Sequence, residues 1–370
     1  MIIGIFTFHR AINYGAFLQA FALKTYLASL GHEVEIVDYW PEGHADAYRL
    51  FPRSRKERSF IGKIKLLISL ILRYNRAKKR SDKMLALVKK HFGLTDIPCY
   101  QTPESLTNIS CDCVVYGSDQ IWWKSTIPNY WGFDSVYWGE YTSKQIRKIA
   151  YAPSMGIIDL NREDKDKIRK WLCNFEALSV RETELQQSLQ GLTDKRISVV
   201  LDPVFLLSSD KWESYCVPIK RSKYILYYNL LRSNEADNLA ETVAKQMECD
   251  IVEITGSVHP LKFGKRYVQT ANAIEFISLI KNAAFVITSS FHGTAFSLIF
   301  RKQFYSIGMG KRAGRVESLL EQLGISDRLI RNVNRLPEDR IEYEMLQLRL
   351  QHLIKESCEY LIKEVCGSGE

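Results

Sequence analysis

The sequence predicts an α/β protein with two Rossmann-like domains, and three observations support this prediction. Short apolar strands recur roughly every 25–30 residues with helical patterns between them, which is typical of parallel βαβ units. The pattern becomes polar and irregular around residues 210–223 and then begins again. The chain has 370 residues, and a domain holds about 100–200, so we expect two domains.

The first βαβ unit sets the direction of the first sheet. We predict a buried strand at residues 2–8, a helix at 16–30 and a second strand at 34–39. A crossover helix between two strands implies that the strands are parallel. The loop after the first strand holds a single glycine, Gly15, instead of the GxGxxG pattern, so we expect no dinucleotide site.

The remaining elements complete two α/β units and a terminal helix. In the first unit we predict strands at 111–116, 148–152, 177–180 and 199–202 and helices at 164–172 and 183–189. In the second we predict strands at 224–229, 251–255, 284–288 and 303–307 and helices at 234–247, 273–281, 294–300 and 317–323. A long amphipathic helix is predicted at 338–365. The predicted domains are 1–210 and 211–345, followed by a helix and tail at 346–370.

Composition limits the class of protein. Hydrophobic residues make up 46% of the chain, which is enough for full cores. The 8 cysteines form no CxxC pair, so we expect buried free thiols in a reducing compartment and no metal site. We find neither a signal-peptide pattern nor a run of about 18 apolar residues, so we expect a cytoplasmic protein without a spanning helix.

Positive charge is concentrated in residues 49–90. This segment holds 15 Lys or Arg but 2 acidic residues, while the whole chain has a net charge of +9, so the remainder is net negative. Apolar residues recur at helical spacing between residues 60 and 72. An apolar helix in a basic surround suits an anionic membrane surface, and a solvated basic helix packed on the sheet fits equally well. We expect no nucleic-acid partner, because no recognisable binding fold accompanies the segment.

A strand, a turn and a helix follow one another at residues 284–300. The turn contains Ser289, Ser290 and Gly293, and His292 sits at the start of the helix. Free backbone N–H groups and the helix dipole make such a helix start an anion site. An imidazole in this position suits acid–base work on a phosphorylated substrate, although it could also be a capping or packing residue.

The strand at residues 111–116 leads into a second polar loop. Asp119 could accept hydrogen bonds from sugar hydroxyls or serve as a base, and Trp122 and Trp123 could stack on a sugar ring. Alternatively, Ser118 or Asp119 caps the next helix and the tryptophans pack in the core. Both interpretations stay open at this point.

Several polar residues follow predicted strands in the two domains, where open α/β sheets bind ligands. They are Asn13, Tyr14, Asp119, Arg181 and Glu182 in the first domain and Ser290, His292, Lys311, Arg312 and Arg315 in the second. One imidazole and several cationic groups suit a small substrate with several negative charges. The alternatives are a salt bridge between Arg181 and Glu182 and a solvated loop around Lys311.

In their order and spacing, six short motifs resemble those of the polysaccharide pyruvyl transferase family over nearly the whole chain. They are Asn13-Tyr14-Gly15-Ala16-Phe17-Leu18-Gln19, Gly117-Ser118-Asp119-Gln120-Ile121-Trp122, Ser179-Val180-Arg181-Glu182, Leu201-Asp202-Pro203, Ser290-Phe291-His292-Gly293-Thr294 and Gly314-Arg315-Val316. The resemblance implies a GT-B-like architecture of two Rossmann-like domains with a cleft between them. It also implies transfer of the enolpyruvyl skeleton of phosphoenolpyruvate to two sugar hydroxyls, which gives a cyclic pyruvate ketal.

The resemblance also implies roles for residues. His292 corresponds to the general acid and Arg181 to a donor-binding residue. The donor side is expected to include Ser290, Phe291, Gly293, Thr294, Lys311, Arg312 and Arg315, and the acceptor side Asn13, Tyr14, Gly15, Asp119, Gln120, Trp122 and Glu182. Some relatives have an arginine where this chain has Ser290, so another base, with Arg315 favoured, is expected to bind the donor's anionic groups.

The resemblance implies no cofactor and no metal, since phosphoenolpyruvate is a co-substrate. Acceptors in this family are often sugars on a polyprenyl diphosphate at the cytoplasmic membrane face, which fits peripheral docking through residues 49–90. Two other functions stay open. They are a GT-B glycosyltransferase that uses a nucleotide sugar, and a saccharide- or lipid-binding protein without catalytic activity. No particular oligomeric state is implied.

Overall fold

In a computed structural model, the chain forms two six-stranded parallel sheets flanked by helices. The structure describes residues 1–50, 59–127, 130–230, 233–308, 313–333, 335–337 and 339–367. Two Rossmann-like units with a long helix at the carboxyl end make up a GT-B-like architecture, so the predicted fold class is confirmed.

The first sheet is entirely parallel. Its strands are β1 (Ile2–Phe6), β2 (Glu33–Ile36), β3 (Cys113–Tyr116), β6 (Arg147–Ala150), β7 (Ala177–Val180) and β8 (Ile197–Val199). They lie in the order β2-β1-β3-β6-β7-β8. Between β3 and β6 the chain forms an antiparallel hairpin of β4 (Ser125–Ile127) and β5 (Tyr130–Gly132), which no sequence pattern predicted.

The second sheet is also parallel and has the Rossmann strand order. Its strands are β9 (Tyr224–Asn229), β10 (Asp250–Thr255), β11 (Tyr267–Val268), β12 (Phe285–Thr288), β13 (Phe304–Ile307) and β14 (Leu329–Ile330). They lie in the order β11-β10-β9-β12-β13-β14. The order reverses between β9 and β12, and this places the end of β12 at the crevice where such sheets bind ligands.

The helices cover the faces of both sheets. They are α1 (Tyr14–Ser29), α2 (Glu42–Tyr48), α3 (Phe60–Phe92), α4 (Arg162–Leu172), α5 (Thr183–Gln190), α6 (Ser209–Tyr215), α7 (Asn234–Gln246), α8 (Ala273–Asn282), α9 (Phe291–Ile299), α10 (Gly314–Leu323) and α11 (Tyr343–Cys366). Short 3-10 helices occur at Pro103–Asn108, Ser135–Trp138, Pro203–Leu206 and Ser326–Arg328. Among the described residues, no helix is both long and apolar enough to cross a membrane.

The central strands are apolar on both faces because helices cover both sides of each sheet. Ile5 and Val115 in the first sheet and Ile225 and Ile287 in the second are completely buried. The sheets are therefore rigid platforms, and the loops at their carboxyl ends are held in fixed positions.

Three sequence predictions about elements need correction. The expected linker at 210–223 contains most of α6, which Ser208 caps by accepting the N–H of Lys211 at 3.2 Å. The last helix begins at Tyr343 rather than at 338. Helix α3 has 33 residues, because the apolar run continues into the basic run without a helix-breaking residue.

The cysteines also differ from expectation. All eight have free thiols, but Cys113 alone among them is buried, while Cys99, Cys173 and Cys366 are exposed. Apolar neighbours in the sequence did not predict burial, because these three positions lie at the ends of elements or in loops.

Helix α11 returns to the first sheet and fastens the end of the chain there. Arg147 of β6 donates to the carbonyl oxygens of Val365 at 3.0 Å and Glu364 at 2.9 Å, which would otherwise lack partners at the helix end. The hydroxyl of Tyr360 donates to the carbonyl of Ala150 at 3.1 Å. Leu361 lies between these contacts and is completely buried.

We expect Leu361→Ala to lower the free energy of unfolding by about 2–5 kcal/mol, because it leaves a cavity under α11. The neighbouring Ile362 is 41% exposed, so Ile362→Ala is the matched control and should cost less than about 1 kcal/mol. Urea unfolding of both variants measures the difference. Equal losses would contradict the packing of α11 described above.

Candidate active site

The candidate site lies where the carboxyl ends of the two sheets meet. Loops after β1, β3, β7 and β8 come from the first sheet, and the start of α9 after β12 comes from the second. Parallel strands end at a common edge, so these loops converge. The two halves touch directly, since the Arg181 guanidinium carbon lies 4.7 Å from the centre of the Phe291 ring.

Gly15 of the first domain lies close against His292 of the second. A Cβ atom built on Gly15 would lie 2.0 Å from Nδ1 of His292, so any larger residue would collide with the imidazole. Asn13 holds the start of α1 in place, because its side chain accepts from the N–H groups of Gly15 at 2.8 Å and Ala16 at 3.3 Å. The absence of a side chain at Gly15 therefore leaves space for the imidazole of His292 from the opposite domain.

His292 lies in the first turn of α9 and is 7% exposed. Ser290 caps this helix by accepting the N–H of Gly293 at 3.4 Å. Nε2 of His292 lies 3.7 Å from Oδ2 of Asp202, and in the described part of the protein it has no hydrogen-bond partner. Burial lowers the pKa of His292, and the Asp202 carboxylate opposes that shift.

Arg181 is buried at the end of β7 and is held by two acidic residues. Its Nη1 donates to Oδ2 of Asp202, and its Nε lies 3.5 Å from Oε1 of Glu182. Its Nη2 is buried and has no partner among the residues described. A buried guanidinium with one unused nitrogen is a ready donor for an anion.

Asp202 joins these groups, and sequence analysis gave it no role. It is completely buried after β8, where Oδ1 accepts the N–H of Val204 at 3.1 Å. Its Oδ2 faces Arg181, His292 and the hydroxyl of Ser118, the last at 3.4 Å. The signal was present as Leu201-Asp202-Pro203, an acid at the end of a predicted strand, but its three partners are far apart in the sequence.

Two further charged residues surround this cluster. Burial raises the pKa of Glu182 against the opposing charge of Arg181, and both carboxylate oxygens lack hydrogen-bond partners among the residues that the structure describes. Arg315 lies in the first turn of α10, where burial and the charge of Arg181 lower its pKa. Lys311 and Arg312, predicted for the donor side, lie outside the described residues.

The start of α9 is only partly as predicted. The described hydrogen bonds leave the N–H groups of Phe291 and His292 without a partner, so these two amides can bind an anion. Thr294 is turned the other way, because its hydroxyl pairs with that of Ser306 at 2.6 Å. Gly293 lies against the side chain of Thr288. Thr294 and Gly293 therefore pack within the second domain.

The predicted acceptor residues divide into two groups. Asp119 and Gln120 are half-buried at the cleft. Asp119 has a left-handed backbone conformation (φ 71°), and its Oδ1 accepts the N–H of Gln120 at 2.8 Å. Trp122 requires a correction, because it is completely buried and stacks on Trp138 at 4.3 Å, so it cannot stack on a sugar. Tyr14 is also buried and stacks on Phe276 at 4.8 Å.

The arrangement suits a small anion beside an acid–base pair. Arg181, Arg315 and the amides of α9 supply positive potential, and His292 and Glu182 are buried groups that can exchange protons. Among the described residues, no three His, Cys, Asp or Glu side chains are grouped so that they could hold a metal ion.

Comparisons with known proteins were made for both sequence and structure. The family model "Polysaccharide pyruvyl transferase" matches residues 13–310, and no curated protein matches. Among solved structures, the UDP-GlcNAc 2-epimerase from Methanocaldococcus jannaschii is 13% identical with a TM-score of 0.48, covering 99% of each chain. The enzyme of that name from Neisseria meningitidis, bound to UDP-GlcNAc, is 10% identical with a TM-score of 0.48, covering 99% of each chain.

A glycosyltransferase from Streptomyces nogalater is 13% identical with a TM-score of 0.40, covering 100% of this chain and 99% of the other.

We expect Gly15→Ala to displace the imidazole of His292 or to separate α1 from α9. The collision should outweigh the helix propensity of alanine, because overpacking costs about 1–3 kcal/mol against a gain of about 1 kcal/mol. Urea unfolding and the NMR signals of the His292 ring measure the change. Gly191→Ala is the control, because its Cβ meets no atom within 4 Å. An unchanged His292 signal in Gly15→Ala would contradict the close approach.

Proposed function

Because the chain belongs to the polysaccharide pyruvyl transferase family, we propose that it transfers pyruvate from phosphoenolpyruvate to two hydroxyls of a sugar, in a polysaccharide or a lipid-linked precursor, and closes a cyclic ketal. The observation that carries this proposal is the buried cluster of Arg181, Asp202 and His292, in which Nη2 of Arg181 and Nε2 of His292 have no hydrogen-bond partner among the described residues. Two buried nitrogen atoms with unused hydrogen-bonding capacity support the binding of one anionic substrate.

Phosphoenolpyruvate carries a carboxylate and a phosphate, so it needs two positively charged binding points. Arg181 and Arg315 supply the side chains, and the amides of Phe291 and His292 supply a helix start. Arg315 takes the place of the arginine that the serine at position 290 lacks. The donor thus lies against the second domain with Arg181 reaching it from the first, and Asn13 and Asp119 of the first domain belong to the acceptor side.

His292 serves as the general acid in the proposed reaction. It protonates the methylene carbon C3, and an oxocarbenium-like centre develops at C2. The first sugar hydroxyl adds to C2 and loses its proton. The C2–O bond to phosphate then breaks, and the second hydroxyl adds at C2 and loses its proton, which closes the ketal. Of the two released protons, one restores His292 and one leaves with phosphate.

The charges of the site support these roles. Burial lowers the pKa of His292 in the free protein, so a bound substrate anion is needed to favour the imidazolium. Glu182 has the complementary property, because burial raises the pKa of its carboxyl and its oxygens have no hydrogen-bond partner among the described residues. We assign Glu182, rather than the half-buried Asp119, as the group that first takes each hydroxyl proton and then passes it on, one to His292 and one to the departing phosphate.

We expect purified protein to transfer ¹³C-labelled phosphoenolpyruvate carbon to one member of a panel of free and lipid-linked sugars, detected by mass spectrometry. His292→Ala should lower the rate by on the order of 10²–10⁴-fold, the usual contribution of a general acid. His352→Ala is the matched control, since His352 is exposed on α11. A near-normal rate for His292→Ala would exclude the mechanism, and transfer from a UDP-sugar instead would favour a glycosyltransferase.

The pH dependence tests the contact between Asp202 and His292. The Asp202 carboxylate raises the pKa of His292, so Asp202→Asn should lower it further. Because the acid must be protonated, the fall of kcat/KM for phosphoenolpyruvate with rising pH should move to lower pH in this variant. Ser118→Ala is the control, because it removes a neutral contact to the same carboxylate. An unshifted profile in Asp202→Asn would exclude His292 as the titrating acid.

A further inference from the structure

The first half of α3 has an apolar face that the described part of the protein does not cover. Its members are between 43% and 64% exposed, namely Ile61, Ile64, Leu67, Ile68, Ile71 and Leu72. A patch of six exposed apolar side chains on one helix usually marks a surface that binds a partner. The prediction of a helix packed on the sheet by this stripe therefore needs correction.

The geometry of α3 shows that the helix has two apolar sides. At 3.6 residues per turn, the six exposed residues fall within a sector of about 140°, and Lys63 and Lys65 lie on its two borders. Leu70 lies on the opposite side and is buried. The protein thus uses Leu70 to hold the helix, and it leaves the wider apolar sector facing outward.

A loop of the second domain lies beside α3 and carries two more exposed apolar side chains. Leu261 and Phe263 are 70% and 65% exposed in the loop after β10. Arg76 of α3 fixes this loop, because it donates to the carbonyl oxygens of Pro260 and Lys262, both at 2.8 Å. Its guanidinium carbon also lies 4.4 Å from the centre of the Phe263 ring. We call the six apolar residues of α3 together with Leu261 and Phe263 the docking face.

We propose that the docking face inserts into the surface of an anionic lipid bilayer. Charge decides between this partner and a second copy of the chain. Residues 59–81 contain no acidic residue, so the apolar sector is bordered by positive charge alone. Anionic headgroups complement that charge while the apolar side chains enter the acyl region. A second copy in a symmetric pair would place lysines against lysines.

The docking face is linked to the candidate active site through the same helix. The guanidinium carbon of Arg80 lies 4.7 Å from the centre of the Tyr14 ring, and Gly15 next to it touches His292. From Leu72 to Arg80 the helix rises about 12 Å, so docking holds the cleft near the lipid surface. The use of this position for a lipid-linked acceptor rests on the proposed function, whereas bilayer binding itself does not.

Vesicle flotation of the full-length protein tests the proposal without any substrate. We expect binding to vesicles of phosphatidylglycerol and phosphatidylcholine, little binding to phosphatidylcholine alone, and release at about 0.5 M salt, where charges are screened. The triple variant Ile64→Ser, Ile68→Ser, Ile71→Ser should bind at least about tenfold more weakly, because three apolar side chains no longer enter the bilayer. Lys63→Glu with Lys65→Glu should also reduce binding.

The matched control is Met345→Ser, Leu348→Ser, Ile362→Ser, which removes three apolar residues of similar exposure from α11. This control should bind like the wild type. Three results would overturn the proposal. The first is equal binding by both triple variants, and the second is no binding of the wild type to anionic vesicles. The third is a wild-type dimer that does not bind vesicles and that the α3 triple variant converts to a monomer, which would make the face an interface between copies.

Discussion

The site depends on one buried carboxylate. Oδ2 of Asp202 faces Arg181, Ser118 and His292, which come from two loops of the first sheet and one helix of the second. Burying an arginine and an aspartate is costly unless they pair, and here Asp202 accepts a hydrogen bond from the guanidinium without using all of its nitrogens. Because Nη2 of Arg181 stays free of protein partners in the described structure, the positive charge is already oriented before substrate arrives.

The same constraint explains why the two domains must meet closely. The His292 imidazole can lie 3.7 Å from Asp202 only if α9 packs against α1 without a side chain between them. Gly15 provides that space. The contact also buries His292, which lowers its pKa and makes its protonation dependent on the charge of the ligand. Close packing and acid–base behaviour thus have one cause.

Sequence reasoning found most strands of the two parallel sheets, the turn at Ser290 and the residues Arg181 and His292, because apolar runs and polar strand ends are local signals. It missed Asp202 as an anchor, since its partners at 118, 181 and 292 meet only through tertiary packing. It also predicted that Trp122 lies at the acceptor side. In the structure, Trp122 stacks on the ring of Trp138, which belongs to a separate 3-10 helix. Burial of an aromatic residue depends on such distant neighbours, and local pattern cannot supply them.

Helix α3 is a second case in which local sequence does not determine burial, because here apolar residues are exposed. Its apolar spacing is compatible with a core helix and with a bilayer helix, and only the three-dimensional arrangement distinguishes them. Leu70 faces the protein, while Ile64, Ile68 and Ile71 face outward. Farther along, Arg80 and Lys83 contact the second domain, through the carbonyl of Thr255 and the carboxylate of Glu275. One rigid helix therefore spans from an exposed apolar face to the boundary of the cleft, so any surface that binds the face also sets the orientation of the site.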